Sequence, residues 1–148
     1  MSHYFSTKVL ELGSCAFRQP NAISHCRHLH GYRLYAKFCF SCAHLDDNNW
    51  VVDFGGLKEL KALLEMQFDH TTIVAKNDSL LPLFLQLNEQ GGCNLRIMEG
   101  VGIEKFAEWC FKTANKYISE KTNSRCWVQR VEVWEHEKNS GIYEKTRY

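Results

Sequence analysis

The sequence predicts an α+β fold in which a four-stranded antiparallel sheet carries two helices on one face. Two observations lead to this prediction. Segments with the two-residue period of strands occur in both halves of the chain, and segments with the helical period lie between them. The predicted order is strand, strand, helix, helix, strand, strand. Runs of strands around a pair of helices are typical of an antiparallel sheet that is covered on one side.

The first two strands are predicted near the start of the chain. Residues 31–43 alternate between apolar and polar side chains, with the apolar ones at the even positions, which indicates a long strand with one buried face. Residues 8–17 are a weaker strand candidate. A turn at residues 19–21 separates the two segments, so we expect them to form an antiparallel pair.

The helices are predicted from apolar residues at helical spacing. One helix covers residues 56–67, with its cap near Asp53. The second covers residues 103–118, where apolar side chains line one face and Lys and Glu line the other. Residues 80–87 are a candidate for a further short helix.

The last two strands are predicted close to the end of the chain. Residues 127–133 alternate again, and a turn at residues 138–141 leads into a final strand at Ile142 and Tyr143. No repeat, linker or low-complexity tract interrupts this order. We therefore expect residues 1–148 to form a single domain.

The composition argues against several classes of partner. Eighteen Lys and Arg residues against 17 Asp and Glu residues leave a net charge of +1, without the dense basic face that nucleic acids or membrane surfaces bind. The sequence shows no signal-peptide pattern and no apolar stretch of the roughly 20 residues that span a membrane. Seven cysteines, an odd number, then indicate reduced thiols and a cytoplasmic location.

Four polar features, far apart in the sequence, are candidates for chemistry. Cys26 lies among histidines and an arginine, where a thiol can have a lowered pKa and act as a thiolate. Asp69 precedes His70, and a carboxylate beside an imidazole can fix its tautomer and raise its basicity. Glu135 ends an apolar strand, and Glu104 opens the second long helix.

Each of these features also has a structural explanation when it is taken alone. Asp69 and His70 could cap the end of a helix, and Glu135 could be a solvated charge at the end of a strand. Cys39 and Cys42 have a metal-like spacing, but residues i and i+3 of a strand point to opposite faces, so no zinc site is expected there.

Taken together and in order, the features resemble those of the 6-pyruvoyl- and 6-carboxytetrahydropterin synthases. That family carries Cys-x-x-x-His-Gly-His, Asp-Phe-x-x-Leu-Lys at a helix start, Asp-His, Pro-Thr-x-Glu-Asn at a helix start, and Glu-Thr at a strand end. The matching segments here are Cys26-Arg27-His28-Leu29-His30-Gly31-Tyr32, Asp53-Phe54-Gly55-Gly56-Leu57-Lys58, Asp69-His70, Val101-Gly102-Ile103-Glu104-Lys105 and Glu135-His136. The resemblance covers nearly the whole chain. It implies the tunnelling fold and a homo-oligomer, trimer-based and most simply a hexamer, with active sites between subunits.

The resemblance also implies a role for each candidate residue. Cys26 is the thiolate that removes a proton, with Asp69 and His70 as its catalytic partners. Glu135 anchors the pterin ring by accepting hydrogen bonds from its amino and ring N–H groups, and Glu104 is a further substrate-binding residue. The implied activity is a lyase reaction on 7,8-dihydroneopterin triphosphate or a related pterin, by triphosphate elimination or by carbon–carbon cleavage, with queuosine biosynthesis as an expected pathway.

The family's catalytic zinc ion is held by three histidines, and this sequence departs from that set. Phe17, or Ala16 in a shifted register, stands at the first position and Tyr32 at the third, so that only His30 is retained. Catalytic zinc sites use three protein ligands and a water molecule, which one imidazole cannot replace. We therefore expect no zinc ion at the inherited position, where the side chains of Phe17 and Tyr32 fill the space.

Two alternatives follow from this departure. A metal site could be built instead on His28 and His30, which share a face if their segment is extended, with Cys26 or His25 close by. The protein could also be a pterin- or purine-binding paralogue without catalytic activity. The retention of Cys26, the Asp-His pair and the Glu of the strand end favours the enzyme.

Overall fold

The computed structural model describes residues 2–146 and shows six strands and three helices. The elements are β1 (Tyr4–Phe17), β2 (His30–Cys42), α1 (Lys58–Phe68), β3 (Thr71–Ala75), α2 (Leu81–Glu89), β4 (Leu95–Met98), α3 (Ile103–Lys121), β5 (Cys126–His136) and β6 (Asn139–Glu144). Two short 3₁₀ turns, His25–Arg27 and Phe54–Leu57, precede β2 and α1. The α+β class predicted from the sequence is confirmed.

The strands form one mixed sheet in the order β4-β3-β1-β2-β5-β6. The pairs β1–β2, β2–β5 and β5–β6 are antiparallel, whereas β3 and β4 are added beside β1 in parallel pairs. The prediction of a four-stranded antiparallel sheet was therefore wrong, because it omitted two strands. All five residues of β3 are buried, and a strand buried on both faces lacks the alternation on which the prediction relied.

The hydrophobic core lies between one face of the sheet and the two long helices. Five even-numbered apolar side chains of β2 are fully buried there: Leu34, Ala36, Phe38, Phe40 and Cys42. Helices α1 and α3 contribute to the same core, and the ring of Phe68 in α1 meets the ring of Phe106 in α3 at 5.3 Å between centroids. These two helices thus share one face of the sheet, as the sequence predicts.

The helix ends follow from local capping. Asp53 accepts a hydrogen bond from the backbone N–H of Gly55 at 2.9 Å and begins the turn that leads into α1, where the sequence predicts a cap. Helix α2 lies in the segment suggested for a short helix, has a proline in its first turn, and packs against β3 and β4.

No helix within residues 2–146 is long and apolar enough to cross a membrane.

Candidate active site

Cys26 lies in a tight turn between β1 and β2. The Ser24 hydroxyl accepts a hydrogen bond from the backbone N–H of Cys26 at 3.3 Å, and the His28 N–H donates to the His25 carbonyl at 2.9 Å. Cys26 is half-buried, whereas the side chains of His25, Arg27 and His28 are exposed. The turn therefore presents the thiol at the surface of the domain, beside groups that can carry positive charge.

The other cysteines differ in their surroundings. Burial raises the pKa of the Cys15 thiol to about 12 and that of the Cys126 thiol to about 11, and it raises the pKa of the fully buried Cys110 as well. These thiols are inert at neutral pH, because only the thiolate is a good nucleophile or base.

A cluster of rings occupies the end of the sheet next to this turn. Phe17 and His30 are partners in the β1–β2 ladder, and their ring centroids lie 5.3 Å apart. The Tyr32 ring is 5.3 Å from His30 and 6.0 Å from Phe17. Phe17 is only 3% exposed and packs edge-on against Phe106 of α3. The three positions that resemble the family's zinc ligands are thus adjacent in space and are occupied mostly by aromatic side chains.

Tyr32 connects this cluster to two of the predicted site residues. The pKa of its phenol is raised, first by burial, then by the carboxylate of Glu135, and then by the thiol of Cys26. Both acidic groups are therefore close enough to Tyr32 for their charges to act on it. The Tyr32 ring also lies 6.3 Å, between centroids, from the ring of His136, the residue that follows Glu135 in β5.

The Glu135 carboxylate is held by the hairpin between β5 and β6. Asn139 donates a hydrogen bond from Nδ2 to Oε1 of Glu135 at 3.1 Å. Glu135 is half-buried, and no described residue donates to its second oxygen, Oε2. That oxygen is available to a ligand with N–H groups, since an ionised carboxylate accepts hydrogen bonds at both oxygens.

Asp69 and His70 form a pair immediately after α1. Oδ1 of Asp69 lies 2.9 Å from Nδ1 of His70 and also accepts from the backbone N–H of Ser14 at 3.2 Å. The hydrogen bond from His70 and then that from Ser14 lower the pKa of the Asp69 carboxyl. The His70 backbone has a left-handed conformation (φ 57°) and its N–H donates to the Ser14 carbonyl at 2.7 Å. The imidazole is largely exposed, with Nδ1 engaged and Nε2 facing solvent.

A bulge in β1 makes room for this pair. The β1–β2 register shifts between Glu11 and Gly13, and Gly13 has φ 103°. A Cβ atom at Gly13 would lie 2.2 Å from Oδ1 and 2.5 Å from Cβ of Asp69. A glycine is required here because any side chain would collide with Asp69.

The described hydrogen bonds between the Asp69–His70 pair and the sheet are made to Ser14 of β1. Among residues 2–146, no hydrogen bond or ion pair joins Asp69 or His70 to Cys26 or Glu135. The Asp-His pair lies instead beside the bulge of β1, where the charge of Asp69 also acts on Glu11. The described hydrogen bonds thus attach the Asp-His pair to β1 and the Glu135 carboxylate to the β5–β6 hairpin.

Glu104 lies exposed in the first turn of α3. A carboxylate at this position is favourable to the helix dipole, which is a structural explanation for its presence. The β6 strand touches the same turn, because a Cβ atom at Gly141 would lie 2.9 Å from the Glu104 backbone nitrogen. The contact places Glu104 near the hairpin that carries Glu135.

The residues around His30 do not fit a metal ion. Phe17 has no donor atom, Tyr32 is a phenol with a raised pKa, and Nδ1 of His30 lies 2.7 Å from the His28 carbonyl oxygen. In the described part of the chain, no group of three or more His, Cys, Asp or Glu side chains is arranged to hold a metal ion. Such a group is therefore found neither at the inherited position nor in the alternative set around His28 and Cys26, within the described residues.

Two residues that support the site were not identified from the sequence. Ser14 acts through its backbone N–H, for which no side-chain signal exists. Asn139 lies in a predicted turn four residues after Glu135, and a hairpin places such residues side by side. Hairpin geometry could therefore have suggested Asn139 as a partner of Glu135.

Comparison with known proteins identifies the family. Residues 9–146 match the family model described as 6-pyruvoyl tetrahydropterin synthase. The chain belongs to this family. A 6-carboxy-5,6,7,8-tetrahydropterin synthase from Rickettsia bellii is 35% identical over 54 residues, which cover 36% of this chain and 39% of that protein. The aligned stretch thus covers well under half of that relative.

Solved structures show the same fold. An uncharacterised protein from Wolinella succinogenes superimposes with a TM-score of 0.82 at 18% identity, over 99% of this chain and 100% of that one. A catalytic-residue variant of the Plasmodium vivax 6-pyruvoyltetrahydropterin synthase gives 0.69 at 15% identity, over 97% and 99% of the two chains. The Caenorhabditis elegans 6-pyruvoyl tetrahydropterin synthase gives 0.66 at 19% identity, over 99% and 98%. At these identities the likeness is one of fold.

Proposed function

We propose that this family member is a cytoplasmic lyase that acts on 7,8-dihydroneopterin triphosphate or a related pterin. The observation that carries the proposal is the Glu135 carboxylate, which has one oxygen open to the edge of a ring and precedes His136, the partner of Tyr32 in a ring contact at the end of the sheet. A half-buried carboxylate oriented by Asn139 suits the amino and N–H groups of a pterin. The partner is a small molecule, with no role for nucleic acid or membrane.

Each site residue has a distinct role in this proposal. Glu135 binds the ring edge and thereby places the pterin side chain near Cys26, with Glu104 as a second contact at the start of α3. The Cys26 thiolate then takes a proton from a side-chain carbon. The Asp69–His70 pair exchanges a proton with the substrate oxygen, since Asp69 holds the imidazole by Nδ1 and leaves Nε2 accessible.

The lack of a bond between the Asp-His pair and Cys26 within residues 2–146 motivates a proposal about assembly. We expect Asp69 and His70 to meet the Cys26 site of a neighbouring subunit in a trimer-based homo-oligomer, most simply a hexamer. The sheet has free edges at β4 and β6, and each presents a half-exposed apolar side chain, Ile97 and Ile142. Such edges favour pairing between chains. A monomer in light scattering at micromolar concentration would contradict this arrangement.

A second candidate function follows from the rings at the family's metal position. Because Phe17 and Tyr32 supply no ligand set with His30, the protein could bind a pterin or purine at Glu135 without converting it. In both functions we propose that no zinc ion is bound at His30. Activity, where present, then survives treatment with a chelator.

A direct assay separates the two functions. The purified protein is incubated with 7,8-dihydroneopterin triphosphate, and the products are separated by chromatography, with and without a chelator. Turnover that is lost in Cys26→Ala and in Glu135→Gln supports the lyase. Binding without turnover, lost in Glu135→Gln and retained in Cys26→Ala, supports the binding protein. The absence of both binding and turnover would contradict both.

A further inference from the structure

The turn that carries Cys26 is held to the rest of the domain by few contacts. Residues 19–29 connect β1 to β2, and the backbone N–H of Gln19 donates to the Cys26 carbonyl at 2.9 Å, which closes the loop at its base. The side-chain Nε2 of Gln19 donates to the Val101 carbonyl, also at 2.9 Å. Among residues 19–29, as described, Gln19 alone donates a side-chain hydrogen bond to another part of the chain, and the His30 ring of β2 lies 2.7 Å from the His28 carbonyl oxygen.

The acceptor of this hydrogen bond lies directly before α3. Val101 precedes Gly102, which caps the helix with φ 119° and whose carbonyl accepts from Phe106 N–H at 2.9 Å. A Cβ atom at Gly102 would lie 2.6 Å from Nε2 of Gln19. The glycine thus allows the amide of Gln19 to pack against the start of the helix.

The same first turn of α3 also contacts the hairpin that carries Glu135. Gly141 of β6 approaches the backbone nitrogen of Glu104 so closely that a Cβ atom there would lie 2.9 Å from it. Asn139, two residues earlier, holds the Glu135 carboxylate. The first turn of α3 therefore contacts both sides of the site: the Cys26 turn through Gln19, and the Glu135 hairpin through Gly141.

We propose that Gln19 is a positioning residue that fixes the Cys26 turn against the first turn of α3, and through it relative to Glu135. The inference rests on the proposed function for the roles of Cys26 and Glu135. Gln19 is half-buried, and replacing its amide with an apolar group leaves the Val101 carbonyl without this donor. The backbone bond from Gln19 to Cys26 does not depend on the side chain. The loop then moves as a unit and carries the thiol with it.

A displaced thiol affects catalysis more than binding. Proton transfer from a substrate carbon requires close approach, and a shift of about 1 Å can lower its rate by as much as ~100-fold. The ring edge is held by Glu135, which Gln19 does not contact. Loss of the Gln19 amide is thus expected to lower kcat by about tenfold and to leave pterin affinity unchanged.

The experiment compares Gln19→Leu with the matched control Gln67→Leu. Gln67 is also half-buried, and its side-chain amide makes no hydrogen bond within the described residues. Hydrogen exchange by mass spectrometry follows the peptide of residues 19–29, with peptides of β2 and β5 as internal references. Neopterin, an oxidised pterin without the triphosphate leaving group, is used to measure affinity, and 7,8-dihydroneopterin triphosphate is used to measure kcat.

The expected result is specific to the Cys26 turn. In Gln19→Leu the peptide of residues 19–29 exchanges about three- to tenfold faster, which is the change expected for one lost hydrogen bond, while the reference peptides do not change. The kcat falls, the neopterin affinity is retained, and Gln67→Leu matches the wild type in all measurements.

Three outcomes would overturn the inference. The first is an unchanged exchange rate of residues 19–29 in Gln19→Leu. The second is an equal increase in the exchange rates of the β2 and β5 peptides, which would indicate a general loss of stability. The third is a weaker affinity for neopterin with an unchanged kcat. A wild-type protein that neither binds neopterin nor turns over the substrate contradicts the proposed function instead. The exchange comparison then still decides whether Gln19 holds the turn.

Discussion

Replacing Gly13 with alanine tests how the β1 bulge places the Asp-His pair. The backbone of Gly13 has φ 103°, a conformation that costs a residue with a side chain about 1–3 kcal/mol. Rotation of the Asp69 side chain does not relieve the collision, because the new methyl group would also lie 2.5 Å from Cβ of Asp69. The backbone at Asp69 must therefore shift, and overpacking of this kind costs a further ~1–3 kcal/mol.

Gly91→Ala is the matched control for this prediction. Gly91 also has a positive φ, 80°, but a Cβ atom there would meet nothing within 4 Å. In the control variant, the positive φ is the only source of the lost stability. The difference between the two variants isolates the collision with Asp69, and we expect Gly13→Ala to be the less stable by about 1–3 kcal/mol.

Urea unfolding followed by circular dichroism measures this difference. For a domain of this size, it corresponds to a melting temperature of Gly13→Ala that is lower than that of Gly91→Ala by roughly 2–12 °C. The activity should fall in Gly13→Ala alone, because only that variant displaces Asp69 and His70. Equal free energies of unfolding in the two variants would refute the argument that the bulge exists to accommodate Asp69.

Three further predictions concern the metal position, the thiol and the carboxylate. Replacing both Phe17 and Tyr32 with histidine should create stoichiometric zinc binding, because the double variant has three adjacent imidazoles, including that of His30. Elemental analysis measures the zinc content. A single variant that binds as much zinc as the double variant would contradict this prediction. Iodoacetamide at pH 8 should label Cys26 before the four thiols whose pKa burial raises, those of Cys15, Cys39, Cys110 and Cys126. Mass spectrometry that shows one of those four modified first would exclude Cys26 as the reactive thiol. The hydrogen bonds that lower the pKa of the Asp69 carboxyl stabilise the folded protein when this carboxyl is ionised. This stabilisation is complete at pH values above the pKa of Asp in the unfolded chain, and it is lost as the pH falls through the lower pKa of Asp69 in the folded protein. Acid titration should therefore show a smaller loss of stability below pH ~4 for Asp69→Asn than for the wild type, and parallel titration curves would contradict the effect.

The predictions that succeeded depend on local periodicity. The buried face of β2 and the apolar stripe of α3 were predicted because side-chain direction in a strand or helix repeats with the backbone, whatever the rest of the chain does. The resemblance to the family was visible for a related reason, since its short motifs occur in the chain in the same order. The cap at Asp53 is local as well.

The predictions that failed or stayed open depend on contacts between distant segments. Strand β3 is buried on both faces and so has no alternation to recognise, and β4 is only four residues long. A parallel pair also needs no turn between its strands that a sequence motif could announce. The sheet therefore has two strands more than the sequence predicted.

The sequence by itself determined which chemical groups this protein possesses, and the tertiary structure decided which of them meet. Residue types near Cys26, Asp69 and Glu135 are visible in the sequence, because each group is a property of its own side chain. The register of the β1–β2 ladder pairs Phe17 with His30, and the β5–β6 hairpin brings Asn139 within hydrogen-bond distance of Glu135. The bulge at Gly13 leaves space for the side chain of Asp69. The same packing fixes the Asp-His pair to Ser14 of β1, because strand register and bulges set the contacts between residues that the sequence leaves far apart.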